Sequence, residues 1–175
     1  WTTGGANVWN TPAIDVKNNL ILFAVGNPNP DLDGTSRPGD NAYTDSVVAI
    51  DSRTGKLRWW YQEVAHDIWD LDACAPVVLF DTVDEKGKTV PAAAHAGKTG
   101  IVYIMNRLTG KLIRKSPPFV IVNENFMKPL SDKPLSILPG SKGGAMWSPP
   151  AWSPQTKYFY TMGINEIHDF VLNYP

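Results

Sequence analysis

The chain has 175 residues, enough for one domain with a sizeable core. Its formal net charge of −1 gives no electrostatic reason to expect nucleic acid or an anionic membrane as a partner. No apolar run is long enough for a membrane span, no signal-peptide pattern stands at the start, and the single cysteine, Cys74, excludes an internal disulfide.

Short apolar segments rich in β-branched and aromatic residues predict strands, separated by turns that the fourteen glycines and fifteen prolines supply. In chain order the predicted strands cover residues 20–25, 46–50, 57–61, 77–80, 101–105, 119–122 and 158–162. The Pro-rich stretch 129–139 is predicted to be a surface excursion. Because no window keeps a helical period, the fold is predicted to be all-β.

Two internal repeats indicate how the strands are arranged. The segment AIDSRTGKLRW around Asp51 recurs around Asn106 as IMNRLTGKL, and in both copies an Asp or Asn closes a turn before the next strand. A Gly-Gly-Ala segment at residues 4–6 recurs at residues 143–145, a separation expected to span about three blades. Repeats of this kind stack sheets radially, which predicts a fragment of about three blades from a larger ring.

Five polar or aromatic residues stand out as candidates for chemistry. Trp9 follows a Gly-Gly turn, Asn27 ends a predicted strand, and Lys98 lies in a run of small residues. Each has an ordinary structural explanation by itself, as a core tryptophan, a turn asparagine or a solvated lysine. Asp70 and Asp72, two apart on an extended segment, leave the same face, and such carboxylates repel unless a cation joins them.

Taken together, these residues and motifs resemble the pyrroloquinoline quinone (PQQ)-dependent alcohol dehydrogenases, quinoproteins built as eight-bladed β-propellers. The motifs are GGANVWNTPAID, GNPNPDLDGTSRPGDN, YTDSVVAIDSRTGKLRWWYQ, HDIWDLD and HAGKTG. The resemblance implies that residues 1–175 are part of one propeller domain, with no separate second domain. It also implies tryptophan-docking motifs, in which Trp59 packs between neighbouring blades.

The resemblance implies a role for each candidate residue. Trp9 matches the indole that lies flat against the quinone ring, and Lys98 matches the basic residue that hydrogen-bonds the quinone carbonyls. Asn27 and Asp70 match ligands of the active-site metal, and Asp70 is also the general base. Asp72 matches a position where lanthanide-using members carry an extra acid, so the expected metal is calcium or a lanthanide.

The implied reaction is oxidation of a primary alcohol to the aldehyde, with a cytochrome c as electron acceptor, in the bacterial periplasm. A homodimer is left open, and the chain by itself is expected to be inactive, because the metal-ligand glutamate and the other blades lie outside it. Asp67 is expected to order its loop with His66, and Met146 stands where the family often has an asparagine that helps hold the cofactor.

Two other functions stay open. One is a PQQ-dependent sugar or polyol dehydrogenase, which residues outside this segment would distinguish from an alcohol dehydrogenase. The other is a non-catalytic propeller scaffold of the outer-membrane assembly type. Such a scaffold shares the docking repeat but has no need of Asn27, Asp70 and Lys98 together.

Overall fold

The computed structural model describes residues 5–172, and their regular structure consists of β-strands. The first four-stranded antiparallel sheet holds β1 (Ala13–Asp15), β2 (Leu20–Val25), β3 (Ser46–Asp51) and β4 (Leu57–Gln62). The second holds β5 (Val78–Val83), β6 (Thr89–Ala96), β7 (Val102–Asn106) and β8 (Leu112–Lys115). In both sheets each strand pairs with the next one along the chain. Within residues 5–172 there is no helix long and apolar enough to cross a membrane.

Four short strands follow the second sheet. β9 (Leu135–Ile137) pairs with β12 (His168–Phe170), and β10 (Ala151–Trp152) pairs with β11 (Phe159–Tyr160). The β10–β11 pair follows the second Gly-Gly-Ala segment as β1–β2 follows the first, so it begins a third blade. The predicted all-β propeller fragment of about three blades is confirmed. However, two blades rather than three separate the repeat copies, because residues 26–45 form a long connection and residues 116–150 contribute the short strand β9 to a separate strand pair.

Each predicted strand is found within a few residues of its predicted bounds, except 119–122, which forms none. β6 was not predicted, because its alanine-rich sequence has weak intrinsic strand preference. Its position between β5 and β7 gives it two hydrogen-bonding partners, which override that preference. The surface excursion is exposed at residues 131–134, whereas Ile137 and Pro139 are fully buried.

The two four-stranded sheets pack against each other through a shared core. Leu22, Val47 and Ala49 from the first sheet are fully buried together with Ala93 and Met105 from the second. Small side chains at such positions let neighbouring sheets approach closely.

Trp59 on β4 joins the two blades, as the docking motif predicts. Its side chain is buried, and its indole Nε1 donates a hydrogen bond to the carbonyl oxygen of Arg107, 2.9 Å away in the turn between β7 and β8. A Cβ atom on Gly110 in the same turn would lie 2.7 Å from the Trp59 ring. The predicted burial of Trp59 at a blade junction is therefore confirmed.

Candidate active site

The sheet topology carries the candidate residues to one edge. In an antiparallel meander alternate strands end on the same side, so β2 and β4 end at one edge of the first sheet, and β6 ends at an edge of the second sheet. Asn27 follows β2, Asp70 and Asp72 lie in the irregular segment after β4, and Lys98 follows β6. Trp9 precedes β1, which begins at the edge where β2 ends.

These side chains surround one cavity of about 250 Å³, and the structure brings all five sequence-predicted site residues together there. The lining also includes Asp31, Cys74, Met146 and Trp147. Because the five residues come from four separate segments of the chain, their convergence depends on the fold and not on proximity in the sequence.

A hydrogen-bonded network links the polar members of this site. Lys98 Nζ donates to Asp72 Oδ1 and to the carbonyl oxygen of Asp70, both at 2.8 Å, and lies 3.3 Å from Asp70 Oδ1. The side-chain Nδ2 of Asn27 donates to Asp70 Oδ1 at 3.2 Å, and the backbone N–H of Asn27 donates to Asp72 Oδ2 at 3.3 Å. One ammonium group therefore faces two carboxyl groups.

The two carboxyl groups differ in their affinity for a proton. Burial raises the pKa of Asp70 to about 7, and the neighbouring Asp72 acts in the same direction. Burial also acts to raise the pKa of Asp72, but hydrogen bonds from Asp70 and Lys98 outweigh it and lower that pKa. The paired carboxylates raise the pKa of Lys98 despite its burial. When one of the two carboxyl groups is protonated, the proton is therefore on Asp70.

The backbone of Asp70 is held in an unusual conformation. Its φ of 64° lies in the left-handed region, which L-residues seldom adopt. The fully buried carboxylate of Asp67 accepts hydrogen bonds from the Trp69 amide at 2.9 Å and the Leu71 amide at 2.7 Å, on either side of Asp70. Asp67 therefore orders this loop. Its carbonyl oxygen accepts a hydrogen bond from Arg37, whereas His66 contacts Gly39 instead.

Two tryptophans present their rings to the cavity. Trp9 is 58% exposed and Trp147 is 63% exposed, although side chains of this kind are normally buried. Trp147 was not predicted from the sequence. The internal repeat could have indicated it, because a tryptophan follows both Gly-Gly-Ala copies. Gly26 allows the close approach at this site, because a Cβ there would lie 2.7 Å from Asp72 Oδ2 and 2.9 Å from Trp9 Nε1.

The oxygen atoms of the site can supply some of the ligands that a hard cation needs, but not all of them. Asn27, Asp70 and Asp72 offer amide and carboxylate oxygens, the ligands that calcium and related ions prefer. Within residues 5–172 no three His, Cys, Asp or Glu side chains form a group that could hold a metal ion. Calcium takes roughly six to eight oxygen ligands, so these residues would supply part of a coordination shell.

Comparisons with known proteins agree with this geometry. A family model described as "PQQ: Glucose/ethanol/alcohol dehydrogenase, beta-propeller domain" matches residues 1–116. The chain is 33% identical to the quinoprotein ethanol dehydrogenase of Pseudomonas putida, over 91% of this chain and 30% of that protein. The chain thus spans about 30% of the length of this curated relative.

Two solved structures share the fold. The quinohemoprotein alcohol dehydrogenase from Comamonas testosteroni superposes with a TM-score of 0.81 at 31% identity, over 90% of this chain and 25% of that one. A europium-containing methanol dehydrogenase superposes with a TM-score of 0.79 at 31% identity, over 89% of this chain and 29% of that one. The chain belongs to the PQQ-dependent quinoprotein dehydrogenases, as part of their β-propeller domain.

Proposed function

We propose that the chain is the active-site segment of a PQQ-dependent dehydrogenase that oxidises a primary alcohol to the aldehyde. The observation that carries the proposal is the convergence of Trp9, Asn27, Asp70, Asp72 and Lys98 on one cavity. Turn, core or surface roles would give these residues no reason to meet. The relatives named as ethanol and alcohol dehydrogenases support the same reaction.

The cavity suits a planar, electron-accepting cofactor. The exposed ring of Trp9 offers an aromatic face on which a quinone can stack, with Trp147 on the same cavity. Lys98 offers N–H groups to quinone carbonyl oxygens, and its ammonium is fixed in place by Asp72 and by the Asp70 backbone. The absence of a side chain at Gly26 lets Trp9 and Asp72 pack closely against the backbone beside the cavity.

The charge balance suits a bound cation. Two carboxyl groups facing one lysine leave excess negative charge when both are ionised, and a calcium or lanthanide ion held by Asn27, Asp70 and Asp72 would balance it. A second carboxylate favours the ion of higher charge. Held by Asn27, Asp70 and Asp72, the metal ion would supply Lewis-acid polarisation, and the quinone would supply the hydride acceptor.

Asp70 is proposed as the general base that takes the proton of the alcohol. Its side chain is 31% exposed, whereas those of Asp72 and Lys98 are 9% and 5% exposed, so Asp70 is the accessible carboxyl group of the network. A pKa raised to about 7 suits a base that works near neutral pH. Asn27 orients the Asp70 carboxyl group through its side-chain amide.

The base role is tested in the full-length protein that contains this chain. The protein, freed of cofactor, is reconstituted with PQQ and either calcium or a lanthanide, and dye-linked oxidation of ethanol is measured. Asp70→Asn keeps an oxygen atom but cannot take a proton, so kcat should fall by roughly 10²- to 10⁴-fold with both metals. Asp132→Asn, on an exposed loop, is the matched control and should retain activity. A loss of less than tenfold in Asp70→Asn would refute the base role.

The metal role of Asp72 has a separate test. Asp72→Ala removes one carboxylate, which a trivalent ion needs more than a divalent ion does. Lanthanide-supported activity should therefore fall much more than calcium-supported activity. Equal losses with both metals would mean that Asp72 only shapes the site through its contacts with Lys98 and Asn27.

The family also supports a proposal for the partner and the location. We propose that electrons pass to a cytochrome c and that the full-length protein works in the bacterial periplasm. Reduction of cytochrome c by the reconstituted protein in the presence of ethanol is the direct test. Sugar and polyol oxidation is the second candidate, because the matching family model also covers glucose dehydrogenases, so glucose and sorbitol belong in the same assay.

A further inference from the structure

A second cavity, of about 400 Å³, adjoins the first at Asp70. Asp31 and Asp70 line both cavities, so the proposed base stands at their boundary. The second cavity is built by the loop after β2, the excursion before β9, and β12 with the residues that follow it. Its apolar walls are the side chains of Leu32, Leu130, Phe170, Val171 and Leu172.

The position of Asp70 between the two cavities indicates what the second cavity binds. If Asp70 takes the hydroxyl proton and the first cavity holds the quinone, the other carbon atoms of the alcohol must extend away from the first cavity. Among the cavities formed by residues 5–172, the second one also touches Asp70. We propose that this cavity binds the carbon chain of the substrate, and that the substrates are primary alcohols with an apolar chain of several carbons rather than methanol. This inference rests on the proposed function.

The chemistry of the walls supports an apolar chain. Leu32 and Val171 are 43% and 42% exposed, and an alkyl chain would remove their apolar surface from water. Three polar residues of the cavity are engaged with protein groups: Ser141 Oγ lies 2.8 Å from His168 Nδ1, and Asp169 accepts a hydrogen bond from Ser136. Asp31 and Asp70 stand at the boundary with the first cavity.

The second nitrogen of His168 is engaged as well, since His168 Nε2 lies 3.0 Å from Glu166 Oε1. A sugar or polyol would bring several further hydroxyl groups into the cavity, each needing a hydrogen-bond partner once it is removed from water. Ser141, His168 and Asp169 already bind protein groups, so the polar side chains that can face a substrate are Asp31 and Asp70 at the mouth shared with the first cavity. The interior of the cavity therefore favours an alcohol with one hydroxyl group over a polyol.

The size of the cavity supports a chain of several carbons. Small-molecule sites have volumes of roughly 300–1,000 Å³, whereas one water molecule occupies about 30 Å³. Methanol, which is little larger than water, would leave most of the cavity to solvent. Each methylene group buried here should instead raise kcat/KM about fourfold, the factor that corresponds to its transfer from water.

The test is a chain-length series with the reconstituted full-length protein. kcat/KM is measured for methanol, ethanol, 1-butanol, 1-hexanol, glucose and sorbitol. From ethanol to 1-butanol we expect a rise of about fourfold per methylene group, with methanol and the polyols the poorest substrates. Leu32→Trp and Leu130→Trp, which fill the cavity from two loops, should each lower the ratio of kcat/KM for 1-hexanol to that for ethanol at least tenfold.

Leu57→Trp is the matched control, because Leu57 is 44% exposed and lies on β4, outside both cavities. It should leave the 1-hexanol to ethanol ratio unchanged. A second readout is saturation-transfer NMR of 1-hexanol on the Asp70→Asn protein, in which the signal should be present and should disappear when Leu32→Trp is added.

The outcomes separate this inference from the proposed function. Failure of all alcohols to reduce the dye with PQQ present would refute the proposed function itself. Alcohol oxidation with a flat or falling chain-length profile, or with a 1-hexanol to ethanol ratio that neither tryptophan variant changes, would refute the assignment of the cavity alone. Faster oxidation of glucose or sorbitol than of 1-butanol would also refute it.

Discussion

Asp45 provides the sharpest test of the electrostatics beneath the candidate site. Its side chain is fully buried, and neither carboxyl oxygen has a hydrogen-bond partner within residues 5–172. Its backbone bridges two strand ends, since its amide donates to Gly26 and its carbonyl oxygen accepts from Glu63. Burial raises the pKa of Asp45 to about 9, and the negative charge of Asp67 adds to the shift. Asp45 should therefore be protonated in the folded protein at neutral pH.

The raised pKa makes folding less favourable as pH rises. In the unfolded chain Asp45 ionises near its ordinary value of 3.8, whereas in the folded protein it keeps its proton up to about pH 9. Between these values the unfolded state binds fewer protons, so the free energy of unfolding falls by about 1.4 kcal/mol per pH unit. At pH 7 the penalty has an upper bound of about 4 kcal/mol.

Asp45→Asn removes this titration while keeping the size and shape of the side chain. We expect the variant to gain stability relative to the parent protein as pH rises, by about 1 to 4 kcal/mol between pH 5 and pH 8. Urea unfolding of the full-length protein, followed by tryptophan fluorescence at pH 5, 6, 7 and 8, measures the difference. Asp132→Asn, at an exposed position, should show no such trend. A difference between Asp45→Asn and parent that does not change with pH would refute the reasoning.

Three further changes probe the docking contact, the strained loop and the buried thiol. Trp59→Ala should lower the free energy of unfolding by about 3–5 kcal/mol, and the half-exposed neighbour Trp60→Ala by less than half as much, both measured by urea unfolding. Asp67→Asn should lower kcat for ethanol at least tenfold, because it removes one of the acceptors that hold the amides beside Asp70, and an unchanged kcat would contradict this. Burial raises the pKa of Cys74 to about 12, so iodoacetamide at pH 8 should label it only after unfolding, as mass spectrometry can show.

The sequence predicted those parts of the fold that depend on local pattern. β2, β3 and β4 carry β-branched and aromatic residues, and the turns between repeat strands carry the Asp, Asn and Gly that such turns need. β6 and the β9–β12 pair were not predicted, because pairing with their partner strands, and not their own residues, makes them strands. Residues 119–122 have strand-like composition but pair with no strand in the described part of the chain.

The candidate site was predictable to a similar extent. Asp70 and Asp72 could be recognised as a pair, but for a reason that the structure does not share. An extended segment would place both carboxyl groups on one face, whereas Asp70 has a left-handed backbone and both carboxyl groups meet at Lys98. The sequence predicted that Asp67 orders its loop, but it named His66 as the partner. The actual donors, the Trp69 and Leu71 amides, could not be predicted because they depend on the left-handed backbone at Asp70. The second cavity could not be predicted from the sequence either, because Leu32, Leu130 and the residues around β12 come together through pairing between distant segments.

The distribution of charge explains why the acidic residues around the site lower the stability of the fold. Asp45, Asp67 and Asp72 are all buried at the edge where the strands end, and Glu63 adds to the negative potential at Asp45. Lys98 is bonded to the side chains of Asp72 and Asp70, and Arg37 donates to the carbonyl oxygen of Asp67. Desolvated like charges of this kind cost free energy unless a cation joins them. Asp45 avoids this cost by keeping its proton, whereas the Asp72 carboxylate beside Lys98 is ionised despite its burial. A metal ion at Asn27, Asp70 and Asp72 would compensate the carboxylates that bind it, which would couple cofactor loading to the stability of this edge of the sheets.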